Sequence, residues 1–148
     1  MRFRTGMAAV AAFVALAGSS SADLKRAQAE PNLEKRSQLA LENASEAYKA
    51  AREAYRKGEQ EEVKAHIAEI EESVTLAHTS LTQTGKDPRR NPKWFKKAEI
   101  ETRDLMKRLD AFEHEMSFDN RPMLETVKAK VQEVHDDLLV GLMEGKRK

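Results

Sequence analysis

The sequence predicts an all-helical protein, an antiparallel up-down-up-down four-helix bundle built from two helical hairpins. Apolar residues recur in alternating steps of three and four over four long stretches, which places each set on one helix face. Glycine or proline stands between these stretches, where helices end or begin. The connections are short, and short connections favour antiparallel neighbours.

Residues 1–22 have the pattern of a secretory signal peptide. Arg2 and Arg4 form a charged start, residues 6–17 are an apolar run, and Ser20, Ser21 and Ala22 are small cleavage-site residues. The run is shorter than the roughly 20 apolar residues that span a membrane, and no cysteine follows it to carry a lipid. We therefore expect cleavage after Ala22, export to the periplasm or the outside of the cell, and a mature chain without a transmembrane segment.

The composition favours one helical domain without disulfides, because the 148 residues include no cysteine and 34% are charged. Removing residues 1–22 takes away two arginines and no acid, which leaves a net charge of −1. Overall charge therefore predicts no polyanion partner. The small number of aromatic residues argues against specific nucleic-acid binding.

The first hairpin follows residues 23–31, which carry no apolar stripe and are expected to form a flexible leader. Helices are predicted over 32–57 and 59–83, and Gly58 alone joins them, which forces them antiparallel. The predicted buried positions of these two helices are Leu41, Ala44, Tyr48, Ala51, Tyr55, Val63, Ile67, Ile70, Val74, Ala77 and Leu81.

The second hairpin is predicted over 92–117 and 120–144, and the four-helix domain as a whole over 32–145, before a basic tail at 146–148. Its predicted buried positions are Phe95, Ala98, Thr102, Leu105, Leu109, Phe112, Met116, Leu124, Val127, Val131, Val134, Leu138 and Leu142. All four stripes are narrow, as in a coiled coil, so neighbouring residues must widen them or chains must associate. A homodimer is an open alternative.

Two resemblances extend this interpretation. The residues Ala47, Ala51, Ala54, Gly58, Val63, Ile67 and Ile70 resemble one helix-turn-helix unit of the tetratricopeptide type. The segments Pro88 to Lys93 (P-R-R-N-P-K), Met116 to Asp119, and Val134 to Leu139 resemble those of small exported bacterial helical proteins without a known activity. The second resemblance implies export and a helical fold, and it implies no reaction.

One stretch, Thr84 to Lys97, stands out as basic, proline-containing and non-helical at its start. It holds the chain's only tryptophan and a single acid, Asp87. The tryptophan is expected either to cap the core or to stand partly exposed as a contact residue. The candidate anion- or partner-binding residues are Lys86, Arg89, Arg90, Lys93, Trp94, Lys96 and Lys97.

The predicted topology gives this stretch two possible roles. An up-down arrangement places the mature N-terminus, the 84–91 connection and the C-terminus at one end, where Lys25, Arg26, Lys35, Arg36 and residues 146–148 would add positive charge. Lysines in the first turns of a helix oppose its dipole, and a bound anion relieves this. The end is expected either to bind phosphate, sulfate, anionic lipid or glycan headgroups or an acidic protein, or to be a solvated basic loop.

Motifs for catalysis or metal binding are missing from the sequence. No cysteine, nucleophile-elbow serine or phosphate-binding glycine loop occurs, and none of His66, His78, His114 and His135 belongs to a Glu-x-x-His or His-x-x-x-His pair. We therefore predict no catalytic residues, metal ligands or cofactors. The expected function is that of a non-enzymatic exported interaction or scaffold protein, with an anion or envelope-surface binder as the alternative and a metal-binding protein as a distant one.

Overall fold

The protein is all-helical over residues 19–146, the part that its computed structural model describes, and this confirms the predicted all-α class. No strand occurs in that range. Residues 1–18, most of the predicted signal peptide, lie outside it, as do Arg147 and Lys148. The elements are α1 (Ser19–Ala29), α2 (Leu33–Arg56), α3 (Gln60–Gln83), α4 (Pro92–Glu115), a 3₁₀ segment (Phe118–Leu124) and α5 (Glu125–Glu144).

Helix α1 corrects the expectation of a flexible leader at 23–31. Leu24 and Ala27 lie three residues apart on one helix face, and both are buried against the rest of the molecule. Asp23 and Arg26 line a groove with Glu46 and other residues of α2, so α1 runs back along α2. Two apolar residues are too few to form a visible stripe, and the burial of this face depends on α2 and α3.

The first hairpin begins and turns where local chemistry favours it. Asn32 caps α2, because its side-chain oxygen accepts a hydrogen bond of 2.9 Å from the Lys35 backbone N–H. Gly58 ends the turn region with a φ of +75°, a left-handed conformation that glycine adopts without strain. The Asn43 side-chain amide donates to the Ser73 hydroxyl at 2.9 Å and joins the middles of α2 and α3. Only residues 57–59 connect the two helices, and a connection this short makes them antiparallel.

The second hairpin is also antiparallel. Lys128, near the start of α5, pairs at 2.7 Å with both Asp110 and Glu113, near the end of α4. His135, farther along α5, contacts Glu99, near the start of α4, at 3.1 Å. The contacts therefore advance along one helix as they retreat along the other.

The two hairpins meet through α2 and α4 on one side and α3 and α5 on the other. The Tyr48 hydroxyl donates to the Arg108 carbonyl at 2.9 Å, and Arg52 pairs with Glu115 about one turn farther along α2 and two turns farther along α4. A nearly constant offset of this kind indicates that α2 and α4 run in the same direction. On the other side, His78 of α3 contacts Asp137 of α5 at 2.7 Å.

Most of the core consists of the residues that the helical spacing predicted, and Leu24, Ala27, Ala40, Ala47 and Ala54 are buried in addition. All the predicted positions are buried except Tyr55 and Leu142, which are half-buried and pack against the core. Phe112 is fully buried, and its ring meets Tyr48 and Tyr55 edge to face at centroid distances of 6.1 and 5.7 Å.

The last long helix begins later than the expected residue 120. The segment Phe118–Leu124 is a 3₁₀ helix, and α5 starts only at Glu125. Pro122 has no backbone N–H to donate, which disfavours a regular α-helix through this segment. The segment is tied to α2, because the Ser117 N–H donates to the Tyr55 hydroxyl at 2.8 Å.

Over residues 19–146, no helix combines the length and the apolar character needed to cross a membrane.

Candidate functional site

The loop from Thr84 to Asn91 is held in shape by its own hydrogen bonds. The Thr84 hydroxyl donates to the Leu81 carbonyl at 2.6 Å, and Gly85 takes a left-handed φ of +68°. The Asp87 carboxylate accepts the Arg89 N–H at 2.9 Å, and its carbonyl accepts the N–H groups of Arg90 and Asn91 at 3.1 and 2.9 Å. The only acid of the basic stretch is therefore used to shape the loop.

Neighbouring helices hold this loop from both sides. Lys86 pairs with Glu34 in the first turn of α2, and the Lys146 ammonium donates to the Gly85 carbonyl at 3.1 Å. Pro88 is buried against α5, where a Cβ added to Gly141 would come within 3.1 Å of the proline ring. The start of α2, the loop and the end of α5 therefore meet at one end of the molecule.

We call residues 30–36, 84–97 and 140–146 the basic end. It contains nine basic and four acidic side chains. Lys25 and Arg26 do not contribute to it as expected, because α1 turns back along α2 and places Arg26 beside Leu39, Glu42 and Asn43. Excess positive charge therefore comes from the loop and from α4.

Most of the candidate residues carry unpaired charge. Among residues 19–146, none of the ion pairs includes the side chains at positions 89, 90, 93, 96 and 97, and all five are exposed. Lys86 is the exception because of Glu34. We call these five residues, with Trp94, the basic surface: Arg89, Arg90, Lys93, Trp94, Lys96 and Lys97.

Trp94 partly covers the core and remains partly exposed, and its role as a contact residue stays a prediction. Its side chain is half-buried and packs partly against the core. The Lys93 and Lys97 ammonium groups lie 5.0 and 5.7 Å from the centroid of its ring, within the range of cation–π attraction. The ring therefore anchors the start of α4 and also orders two positive charges at the surface.

The first turn of α4 has no acid and no side-chain cap. Asn91 makes no capping hydrogen bond, and Pro92 occupies the first helical positions. A shallow groove of about 320 Å³ lies beside this turn and is lined by Glu34, Lys86, Asn91, Pro92, Lys93 and Trp94. Positive charge and the positive end of the helix dipole thus coincide at this groove.

A second cavity, of about 220 Å³, opens on the basic end between α3, the loop and α5. Its apolar walls include Pro88, Phe95, Leu138 and Val140. Sequence reasoning missed this cavity, because its walls come from three separate parts of the chain.

Three of the four histidines, His78, His114 and His135, contact a carboxylate or a backbone carbonyl. Nδ1 of His114 lies 2.7 Å from the Asp110 carbonyl oxygen, and the buried His135 contacts Glu99 at 3.1 Å. Within residues 19–146, no group of three or more metal-ligating side chains comes together.

Glu101, which lies outside the basic end, has a raised pKa. Glu101 lies with Glu42, Asp104 and Arg108 in a groove of about 230 Å³ between α2 and α4. Burial raises the pKa of Glu101, the Lys97 ammonium opposes this shift, and the nearby carboxylates of Glu42 and Asp104 reinforce it.

Comparison of the chain with protein-family models, with curated proteins and with solved structures finds no match.

Proposed function

We propose that the protein is a non-enzymatic, exported helical interaction protein whose basic surface binds anionic groups. The observation that carries this proposal is the set of five exposed basic side chains that have no carboxylate partner within residues 19–146. These side chains belong to the loop at 84–91, which its own hydrogen bonds stabilise, and to the first turns of α4. A fixed cluster of this kind attracts anions by its local field although the net charge of the chain is close to zero.

The binding partner is an anionic envelope component or an acidic protein surface. Phosphate, sulfate, and lipid or glycan headgroups share the acceptor oxygens that arginine and lysine bind best. Trp94 adds a flat ring beside Lys93 and Lys97, which suits a ligand that is both anionic and partly apolar. The proposal includes a relationship to the small exported bacterial helical proteins that the sequence resembles.

The four-helix up-down topology of α2–α5 and the signal peptide are further parts of the proposal. The short connection between α2 and α3, the antiparallel contacts between α4 and α5, and the parallel offset of α2 and α4 support the topology. The charged start, apolar run and small residues of positions 1–22 support export. Intact mass spectrometry of the exported protein should give a chain that begins at Asp23.

A charge-reversal experiment tests binding by the basic surface. Retention on heparin and on vesicles containing an anionic lipid is measured over a salt series for the wild type and for the triple variant Arg89→Glu, Arg90→Glu, Lys96→Glu. The wild type should be retained and should elute earlier as salt rises, because each contact with a polyanion releases counterions. The triple variant should be retained neither on heparin nor on the vesicles.

The matched control is Lys49→Glu, Lys64→Glu, Lys107→Glu, which changes the net charge equally at exposed positions outside the basic surface. Its retention should remain close to that of the wild type. Equal retention of all three proteins, or equal loss in both variants, would overturn the proposal. Binding to vesicles alone would identify a lipid surface, and binding to both matrices would identify anionic groups in general.

A further inference from the structure

The most exposed large apolar side chain in residues 19–146 belongs to Phe118, which is 81% exposed. It opens the 3₁₀ segment, directly after Ser117, whose N–H donates to the Tyr55 hydroxyl. The Arg121 guanidinium lies 6.0 Å from the centroid of the Phe118 ring. An aromatic ring held out on a braced segment is suited to insertion into a partner's cavity.

A cavity of suitable size and polarity lies at the other end of the molecule. The 220 Å³ space between α3, the loop and α5 is larger than a phenyl ring and has apolar walls that include Phe95, Leu138 and Val140. Lys86 and Lys146 also line it, as does Asp137. We call this space the socket.

Charge complements shape between these two places. Asp119 and Arg121 flank the exposed ring. In the socket wall, Lys86 pairs with Glu34 and Asp137 contacts His78, whereas Lys146 has no carboxylate partner within residues 19–146 and adds positive charge. The exposed ring also lies in an acidic region. We call residues 52–64 and 113–125 the acidic end, and they contain eight acidic and five basic side chains. The basic end has the opposite excess. Two copies placed end to end therefore attract each other, whereas like ends repel.

We propose that Phe118 of one copy inserts into the socket of a second copy, so that the molecules associate head to tail. The two surfaces lie at opposite ends of one chain, so each copy keeps a free ring and a free socket after pairing. Such a contact joins different surfaces and continues into rows instead of closing as a two-fold dimer. The inference goes beyond anion binding, because the residues at positions 89, 90 and 96 do not line the socket.

Three variants and one control separate the two halves of the contact. Phe118→Ser removes the ring from an exposed position, and Val140→Glu places a carboxylate in the socket wall. Met143→Ser is the matched control, because Met143 is 70% exposed on α5 but does not line the socket. Lys146→Glu, at an exposed position, is a second socket variant. Circular dichroism and thermal melting establish that each variant keeps its helices.

Sedimentation velocity over a concentration series measures association. A single aromatic contact buries less than the roughly 800 Å² per partner of a stable complex, so the Kd should lie at about 10–1,000 µM. The average mass of the wild type and of Met143→Ser should rise beyond that of a dimer with concentration, and fall when salt is added. Phe118→Ser and Val140→Glu should each remain monomeric.

A mixture of the two monomeric variants gives the decisive result. Only one productive contact is then possible, between the ring of the Val140→Glu protein and the socket of the Phe118→Ser protein. The mixture should form a one-to-one dimer and nothing larger. A monomeric wild type, a wild type that stops at a dimer, unchanged association of Phe118→Ser, or a mixture that stays monomeric would each overturn the proposal. The Phe118→Ser variant should still bind heparin, which separates this inference from the proposed function.

Discussion

The two ends of the molecule use basic residues differently. At the acidic end, Arg52 binds both oxygens of Glu115, and in the adjacent hairpin Lys128 is shared between Asp110 and Glu113. At the basic end, only Lys35 and Lys86 of the nine positive side chains pair with a carboxylate within residues 19–146, and five of the other seven belong to the basic surface. Paired charges join helices to each other, whereas unpaired charges remain available to a ligand. The difference supports the proposed binding role of the basic end, where the positive charges are not used to join helices.

The largest expected effect concerns the aromatic cluster of Tyr48, Tyr55 and Phe112, which lies beside the acidic end. Phe112→Ala should destabilise the protein by about 3–5 kcal/mol, because a fully buried ring between Tyr48 and Tyr55 leaves a cavity. Trp94→Ala at the basic end should cost about 1 kcal/mol, because that ring is only half-buried. Urea unfolding followed by circular dichroism measures both. Equal losses would contradict the contrast between the ends.

The next effect tests paired against unpaired arginines. Arg52→Ala should lower the free energy of unfolding by about 0.5–1 kcal/mol, because it loses two hydrogen bonds to Glu115, which also raise the pKa of the guanidinium. Arg89→Ala should leave stability unchanged within error, since its side chain has no acidic partner. The double variant Arg52→Ala, Glu115→Gln isolates the pair energy, and an additive double variant would show that the pair contributes nothing.

A smaller effect concerns the starts of two helices. The first turn of α3 contains Glu61 and Glu62, whereas the first turn of α4 contains no acid and includes Lys93. Lys93→Glu should stabilise the protein by about 0.5 kcal/mol by favourable interaction with the helix dipole, and it should weaken anion binding. Glu61→Lys should destabilise by a similar amount, through the dipole and the loss of its exposed contact with Lys64.

Thermal melting and heparin retention are measured together for this pair of variants. A Lys93→Glu variant that becomes less stable would show that the lysine is held in place by contacts other than the dipole. A gain in stability with weaker binding would show that the basic end retains its charge at the expense of the fold.

The smallest effect is the pH dependence contributed by Glu101. Its folded-state pKa is raised above the ordinary value of 4.5, so the folded protein holds this proton more tightly than the unfolded chain. The carboxyl therefore costs stability progressively as pH rises from the ordinary value through the raised one. Glu101→Gln should melt about 1–2 °C higher than the wild type at pH 7 and equally at pH 3. Glu46→Gln, exposed on α2, is the control and should show no such difference.

The repeat of apolar residues predicted the core because it depends only on local helix geometry. Every third or fourth residue of α2, α3, α4 and α5 lies on one face, so the spacing indicates which side chains become buried. The signal failed where a segment is short or irregular. Leu24 and Ala27 are buried only because α2 and α3 provide a groove, and the 3₁₀ segment around Pro122 lies outside any α-helical repeat.

The candidate site was predictable in part. The basic residues and Trp94 stand close together in the sequence, so their proximity needs no folding argument. The sequence could not show which of these basic residues form ion pairs. Lys86, for example, pairs with Glu34, which lies 52 residues away in the chain. Phe118 offered a signal, since an aromatic residue in a polar break belongs to no apolar stripe.

By itself, the sequence determined the four long helices, their buried faces and the chemical character of the 84–97 stretch, because these follow from residue type and from spacings within a few turns. Only the tertiary structure decided which charges are neutralised, that α1 turns back along α2 instead of adding Lys25 and Arg26 to the basic end, and that a socket opens between α3 and α5. These features depend on side chains that approach each other from distant parts of the chain. Spacing along one helix contains no information about such distances.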